Sequence, residues 1–329
     1  MISDTGAVSL FQLQAGLEDR LDEVHDRVRH LIVADVEMIE AVNQHLMQMR
    51  GKMFRPTLLL LVHAATEVKD PRVIDLAAVV ELIHLATLVH DDSVDHSVLR
   101  RGMPTINSLF SHQVSVIMGD YLYSRAVIEL VQMADLDPLR VLARVTNEMT
   151  VGEMRQLLAH DRLKFTEEEY ALLIRSKTAS LLSGAAECGA LNADPVTREA
   201  MASFGGFLGM AFQIVDDLLD FTEAESVTGK PSGLDLREHK VTLPLIYALP
   251  RMSSVQRQDV SHLMDTADPT DEQIAAVVAA VAEVGGLDYA REQAQRYVAL
   301  AEAELLVLPP SDAREMLRNS LTYVLERRH

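Results

Sequence analysis

The chain has no tryptophan, only 5% aromatic residues and a single cysteine among its 329 residues. With so few rings, the 48% of the sequence that is hydrophobic rests on Leu, Val, Ile, Ala and 15 Met. These side chains suit packed helices better than the β-branched and aromatic faces of sandwiches and barrels. The lone Cys188 excludes a disulfide framework and a cysteine-based zinc site, and a reducing compartment is expected. Basic residues are also scarce: 30 Lys and Arg against 49 Asp and Glu leave a formal charge of −19, which opposes non-specific attraction to nucleic acid or anionic lipid. An anionic ligand must therefore be recruited by local cations or by metal. The N-terminal segment alternates acidic and apolar residues and has no basic stretch followed by an apolar core, so no export signal is expected. The uncharged stretch Met201 to Val215 contains three glycines and falls short of the ~20 residues a membrane helix needs. The expectation is a soluble, cytoplasmic protein.

What is present is helical periodicity. Apolar residues recur at three- and four-residue spacing almost from end to end, without the sustained alternation of strands. Breaks are expected at Gly51 to Pro56, Asp70-Pro71, Gly102 to Thr105, Asp137-Pro138, Asn192 to Pro195, Thr228 to Gly233, Pro250, Asp268-Pro269, Gly285-Gly286 and Pro309-Pro310. They predict an all-α bundle of roughly ten or more helices. None is a Ser/Gly/Pro-rich linker, so residues 1–329 are expected to form one domain.

The informative segment is LIHLATLVHDDSVDHSVLRRGMPT, where Asp91, Asp92 and Asp95 close a long apolar helix. Asp91 and Asp95 are one turn apart with Asp92 alongside, so three carboxylates are expected to converge on one patch. The spacing returns at Asp216, Asp217 and Asp220 in AFQIVDDLLDF. An acidic triplet at a helix end is usually just a solvated face. Here the helix leading into the first cluster is apolar nearly all round and the pattern occurs twice, which favours a site. Half-buried carboxylates repel one another unless cations compensate them. Carboxylate oxygens suit Mg²⁺, which is usually held by one or two carboxylates and substrate phosphates.

Cations lie near both clusters. Arg100 and Arg101 follow the first; they suit a helix C-terminus, and two adjacent guanidiniums also suit bidentate contact with diphosphate. Lys52 and Arg55 open a helix in RGKMFRP, and His84 lies two turns before Asp91 on the same face. Lys177-Thr178 in RSKTASLL, Lys230 in TGKPSG and Lys240 in EHKVTLP are weaker signals, since loop lysines are usually solvated.

Taken in order, these residues resemble the trans-isoprenyl diphosphate synthases, or polyprenyl synthetases. The matches are GK..RP at Gly51 to Pro56, LIH at Leu82 to His84, RRG at Arg100 to Gly102, GDYL at Gly119 to Leu122, KT at Lys177-Thr178 and FQ..DD..D at Phe212 to Asp220, with DDxxD at Asp91 to Asp95. The resemblance covers nearly the whole chain. It implies a helical bundle around a central cavity and a homodimer, with at most peripheral membrane contact for product release. The reaction implied is condensation of isopentenyl diphosphate with an allylic diphosphate. Asp91, Asp95 and Asp216 would ligate three Mg²⁺ ions, with Asp92, Asp217 and Asp220 acting from behind them or through water. The six aspartates and Lys177 are the candidate catalytic groups. Arg100, Lys177, Thr178, Gln213, Lys230 and Lys240 would hold the allylic diphosphate, and Lys52, Arg55, His84 and Arg101 isopentenyl diphosphate. The chain departs from the family at Arg50, where Gly is usual, at Met53, where Arg is usual, and at His239, where Gly is usual.

Product length follows from helix geometry. Ala86 and Thr87, five and four residues before Asp91, lie one turn deeper along the path of a growing tail, and both are small. Members of the family that stop at fifteen carbons usually carry an aromatic at this level, so a long-chain product is expected. The helix from Asp91 back to Val80 is about 16 Å long, room for several isoprene units. The alternatives are a geranylgeranyl or farnesyl diphosphate synthase. Less favoured are a class I terpene cyclase, whose second metal site mixes Asn, Ser and Glu, and a non-catalytic subunit of a heteromeric synthase.

Overall fold

The structure is a computed structural model that describes residues 8–49, 51–100, 102–158, 162–222 and 233–327. Two of the residues singled out above, Arg101 and Lys230, lie outside this set, as does Arg50. The helices run in order α1 (Leu10–Gln14), α2 (Glu18–Leu31), α3 (Glu37–Gln48), α4 (Phe54–Ala65), α5 (Val73–Val94), α6 (Ile106–Leu109), α7 (His112–Gln132), α8 (Leu136–Leu158), α9 (Glu167–Ile174), α10 (Ser180–Gly189) and α11 (Pro195–Thr222). After the second acidic cluster come α12 (Leu234–Arg237), α13 (Leu243–Ala248), α14 (Ser254–Asp265), α15 (Asp271–Glu283), α16 (Gly286–Glu304) and α17 (Asp312–Glu326).

Their starts are written in the sequence. Ser9, Thr166, Ser253 and Thr270 each cap a helix and receive a reciprocal bond from the Gln or Glu three residues on. Pro195 opens α11, and Gly285, at φ +82°, makes the left-handed turn between α15 and α16. The expected break at Gly102 is a two-stranded antiparallel ribbon pairing Leu99–Arg100 with Met103–Pro104, strands too short for a periodicity to reveal.

Two long helices organise the core. α5 packs against α2, α4 and α7, and Leu76, Val79, Leu82 and Ile83 are fully buried, so its lack of a polar face reflects neighbours on every side. By length and hydropathy alone it could cross a membrane, yet in this structure it is the centre of the bundle. α11 packs against α10 and α16. Gly205 and Gly209 allow the close contact with α10 and the turn before it. A Cβ on Gly205 would meet the Leu182 carbonyl oxygen at 2.4 Å, and one on Gly209 the Ala179 Cα at 2.5 Å. A single π-helical turn, Arg175–Ala179, joins α9 to α10 and interrupts their regular ladder. Such turns frequently mark functional sites.

Candidate active site

Each acidic cluster divides its labour. Asp91 is half-buried beside Lys177 of the π-turn, while Asp95 caps α5 and is exposed. Asp92 does not join them. One residue on, it is rotated by about 100°, is 5% exposed, and grips Arg100: Nε lies 2.9 Å from both carboxylate oxygens and Nη2 2.7 Å from Oδ1. The expectation that three carboxylates converge on one patch is therefore corrected to two, with the third holding an arginine. In the second cluster Asp216 is exposed, Asp217 is buried, and Asp220 accepts the backbone N–H groups of Leu234 and Asp235 at 3.0 Å. Asp220 thus anchors the segment that carries Asp235 and Lys240.

Lys177 and Thr178 connect the clusters. The Lys177 ammonium lies 2.6 Å from Glu153 Oε2 and 3.9 Å from Asp91 Oδ2. The Thr178 hydroxyl donates to Gln213 Oε1 at 2.8 Å, Gln213 Nε2 donates to Asp217 Oδ1 at 2.7 Å, and the Tyr170 hydroxyl donates to Asp217 Oδ2 at 2.6 Å. α8 presses close to the π-turn because it presents Gly152, where a Cβ would stand 2.6 Å from Ser176 Cβ. From the other side, Lys240 pairs with Glu238 at 2.6 Å. Burial lowers the Lys240 ammonium, but that bond and the charges of Asp235 and Asp95 outweigh it and raise the group above its usual value.

The electrostatics are those of a site lacking compensating positive charge. Burial, opposed by Lys177 and reinforced by Glu153 and Asp95, pushes Asp91 up to about 6. Burial and the neighbouring Asp220 push Asp235 to about 7, and burial with the Asp235 charge raises Asp217. Among the described residues no three His, Cys, Asp or Glu side chains are grouped so that they alone could hold an ion, so any metal must draw part of its shell from elsewhere. The isolated carboxylates of Asp91, Asp95 and Asp216 are hard oxygen donors, which suit Mg²⁺, an ion that keeps waters and completes its shell with phosphate oxygens.

Close to the second acidic cluster lies a basic pocket lined among others by Lys52, Arg55, Glu81, His84, Phe212 and Arg327. Arg55 Nη1 and His84 Nε2 are 3.1 Å apart, so the three expected residues described here do come together. Met53, one of the departures, takes φ +51° just before α4 begins. A second departure, His239, also has the left-handed conformation that the usual Gly would take freely, at φ +55°, and its Nε2 lies 2.8 Å from the Thr266 carbonyl oxygen.

Four participants escaped the sequence reading. Arg327, just past α17, is stacked 3.7 Å over the Phe212 ring and donates to Phe212 O at 2.9 Å and to Asp216 Oδ1 at 3.0 Å, joining the basic cavity to the second acidic cluster. The others are Glu153, Tyr170 and Asp235. Only Asp235 carried a local signal, as an acid between Gly233 and Lys240.

Beneath the first cluster, Thr87 is half-buried and Ala86 fully so. Ser115 Oγ donates to the Val89 carbonyl at 3.1 Å, and Arg27 bridges Asp75 and Glu129. These pairs set α7 antiparallel to α5, with Met118 level with Ala86 and Leu122 level with Leu82.

An all-helical bundle with two facing aspartate clusters and a basic cavity between helix ends is an arrangement suited to metal-bound diphosphates. The family model described as polyprenyl synthetase matches residues 36–281, and the chain belongs to that family. It is 38% identical to an all-trans-nonaprenyl-diphosphate synthase (geranyl-diphosphate specific) of Rhodobacter capsulatus, over 90% of this chain and 91% of the relative. It is 35% identical to octaprenyl diphosphate synthase of Escherichia coli, over 86% and 88%. The crystal structure of a polyprenyl synthase from Caulobacter crescentus, complexed with calcium and isoprenyl diphosphate, superposes with a TM-score of 0.92 at 32% identity, over 98% of this chain and 99% of that one.

Proposed function

We propose that this prenyltransferase condenses isopentenyl diphosphate head-to-tail with an allylic diphosphate, repeatedly, to make a long-chain all-trans polyprenyl diphosphate. The observation that carries the reading is the wall Lys177–Thr178–Gln213, which ties the Asp91 cluster to the Asp216 cluster beside a cavity holding Lys52, Arg55 and His84.

Mg²⁺, three ions in this reading, would be held by Asp91 and Asp95 on one side and Asp216 on the other, and would supply the positive charge that lets the allylic carbon–oxygen bond ionise. Arg100, fixed by Asp92, together with Lys177 and Lys240, holds the allylic diphosphate. Lys52, Arg55 and His84, joined by Arg327, orient isopentenyl diphosphate so that its double bond faces the allylic carbon. The apolar walls of α5 and α7 exclude water from the cation. The new bond leaves a proton next to the released diphosphate, whose oxygens accept it. The small residues Ala86 and Thr87 leave the tail a path along α5, which favours products longer than those of geranylgeranyl and farnesyl diphosphate synthases.

The reading includes a homodimer, supported by the exposed apolar residues Ile117, Val131 and Met154 on α7 and α8, which are 61%, 60% and 55% exposed. It also includes residues 1–329 acting as one domain in the cytoplasm, with only peripheral membrane contact for product release. The test is transfer of label from isopentenyl diphosphate into solvent-extractable product. Transfer that requires a divalent metal and is lost in both Asp91→Asn and Asp216→Asn supports the reading; metal-independent transfer contradicts it.

A further inference from the structure

We propose that Tyr170 is a positioning residue for the reaction: through Asp217 it fixes the Gln213 amide, so that Thr178 and Gln213 turn oxygen lone pairs toward the reacting carbon. This inference rests on the prenyl-transfer reading above. Tyr170, on α9, is a buried residue, 3% exposed. Its bond to Asp217 Oδ2 at 2.6 Å and the Gln213 Nε2 bond to Oδ1 at 2.7 Å hold both oxygens of one carboxylate. Both oxygens thus serve as acceptors, so Gln213 presents its nitrogen inward and its Oε1 outward.

That Oε1 takes the Thr178 hydroxyl proton at 2.8 Å. The Thr178 proton is then committed, and what remains on its oxygen is lone pairs. The residue next to it, Lys177, is 3.9 Å from Asp91, so the pair lies on the wall where an allylic diphosphate bound between the clusters would lose its carbon–oxygen bond. Preorganised acceptors there stabilise charge developing on carbon. Without the phenol, Asp217 Oδ2 is left unpaired in a dry interior and the carboxylate is free to turn. The orientation of the Gln213 amide loosens with it, although no group facing the substrate has changed.

The test is Tyr170→Phe in the full chain, with steady-state kinetics and two analogues of the allylic substrate. One carries a protonated nitrogen at the reacting carbon, and the other replaces the bridging oxygen by sulfur and stays neutral at carbon. The expected result is a kcat lower by about tenfold, a KM for isopentenyl diphosphate within about twofold, and about tenfold weaker binding of the cationic analogue alone. Thr178→Val, which cuts the same chain at its cavity end without touching the core, should show the same selective loss. Equal weakening of both analogues in both variants, or a fall in thermal stability with kcat unchanged, would overturn the role. Wild-type protein that turns over no isopentenyl diphosphate would overturn the prenyl-transfer reading itself, and this role with it.

Discussion

Arg100 holds the Asp92 carboxylate through two nitrogens, with Nε 2.9 Å from each oxygen and Nη2 2.7 Å from Oδ1. A bidentate grip of this kind orients a guanidinium before any ligand arrives. Asp92→Ala is therefore expected to raise the KM for the allylic substrate about tenfold, or about 1.4 kcal/mol, and to leave the Mg²⁺ concentration for half-maximal activity unchanged. Asp91→Asn should shift the Mg²⁺ dependence and lower kcat instead. Mg²⁺ titrations of the two variants separate these outcomes, and a matching metal shift in Asp92→Ala would contradict the division of roles.

Asp91 also makes stability depend on pH and metal. Its folded value of about 6 is above that of an unfolded carboxylate, so the folded state binds this proton more tightly. The ionised group opposes folding above pH about 6, and the opposition is relieved as pH falls from there toward the unfolded value. Metal-free protein should thus lose less stability on acidification from pH 7.5 to 5.5 than Asp91→Asn does. Mg²⁺ with pyrophosphate should raise the thermal midpoint more at pH 7.5 than at 5.5. An equal rise at both pH values contradicts this linkage.

The close seat of α11 against the π-turn predicts a pair of glycine variants with opposite outcomes. Gly209→Ala forces a methyl into Ala179, one residue from Thr178, and should cost about 1–3 kcal/mol together with a lower kcat. Gly206→Ala, whose Cβ would meet nothing closer than Ser183 Cβ at 3.8 Å, should be neutral or slightly stabilising. Urea unfolding and turnover of both proteins provide the check.

Arg27 joins α2 to α5 and α7 through Asp75 at 2.7 Å and the nearly buried Glu129 at 2.5 Å. Arg27→Met leaves Glu129 unpaired and should destabilise by about 3 kcal/mol. Adding Glu129→Leu should recover most of the loss, and a double variant as unstable as the single one contradicts the explanation.

How much of this was legible in the sequence depended on whether the signal was local. The helices and the one-turn spacing of Asp91 and Asp95 follow from periodicity, and His84 falls on the expected face two turns earlier. Asp92 showed the limit of that reasoning. Adjacency in sequence suggested a shared patch, whereas 100° of rotation gives it Arg100 as a partner. Glu153, Tyr170 and Arg327 were illegible because each acts on a residue tens to more than a hundred positions away. In the sequence alone they look like an ordinary acid, a core aromatic and a terminal base. His239 is an intermediate case: its departure from Gly was visible, and the backbone keeps the left-handed turn while the ring gains a contact with Thr266.

The most direct measurement is the length of the product. Purified protein would be incubated with Mg²⁺, labelled isopentenyl diphosphate and farnesyl diphosphate, and the dephosphorylated alcohols sized beside those of Thr87→Phe. The account predicts long-chain products from the wild type and a collapse to short ones in the variant. Long chains unaffected by the phenylalanine would contradict the path along α5, and a wild type that stops at fifteen or twenty carbons would contradict the long-chain assignment.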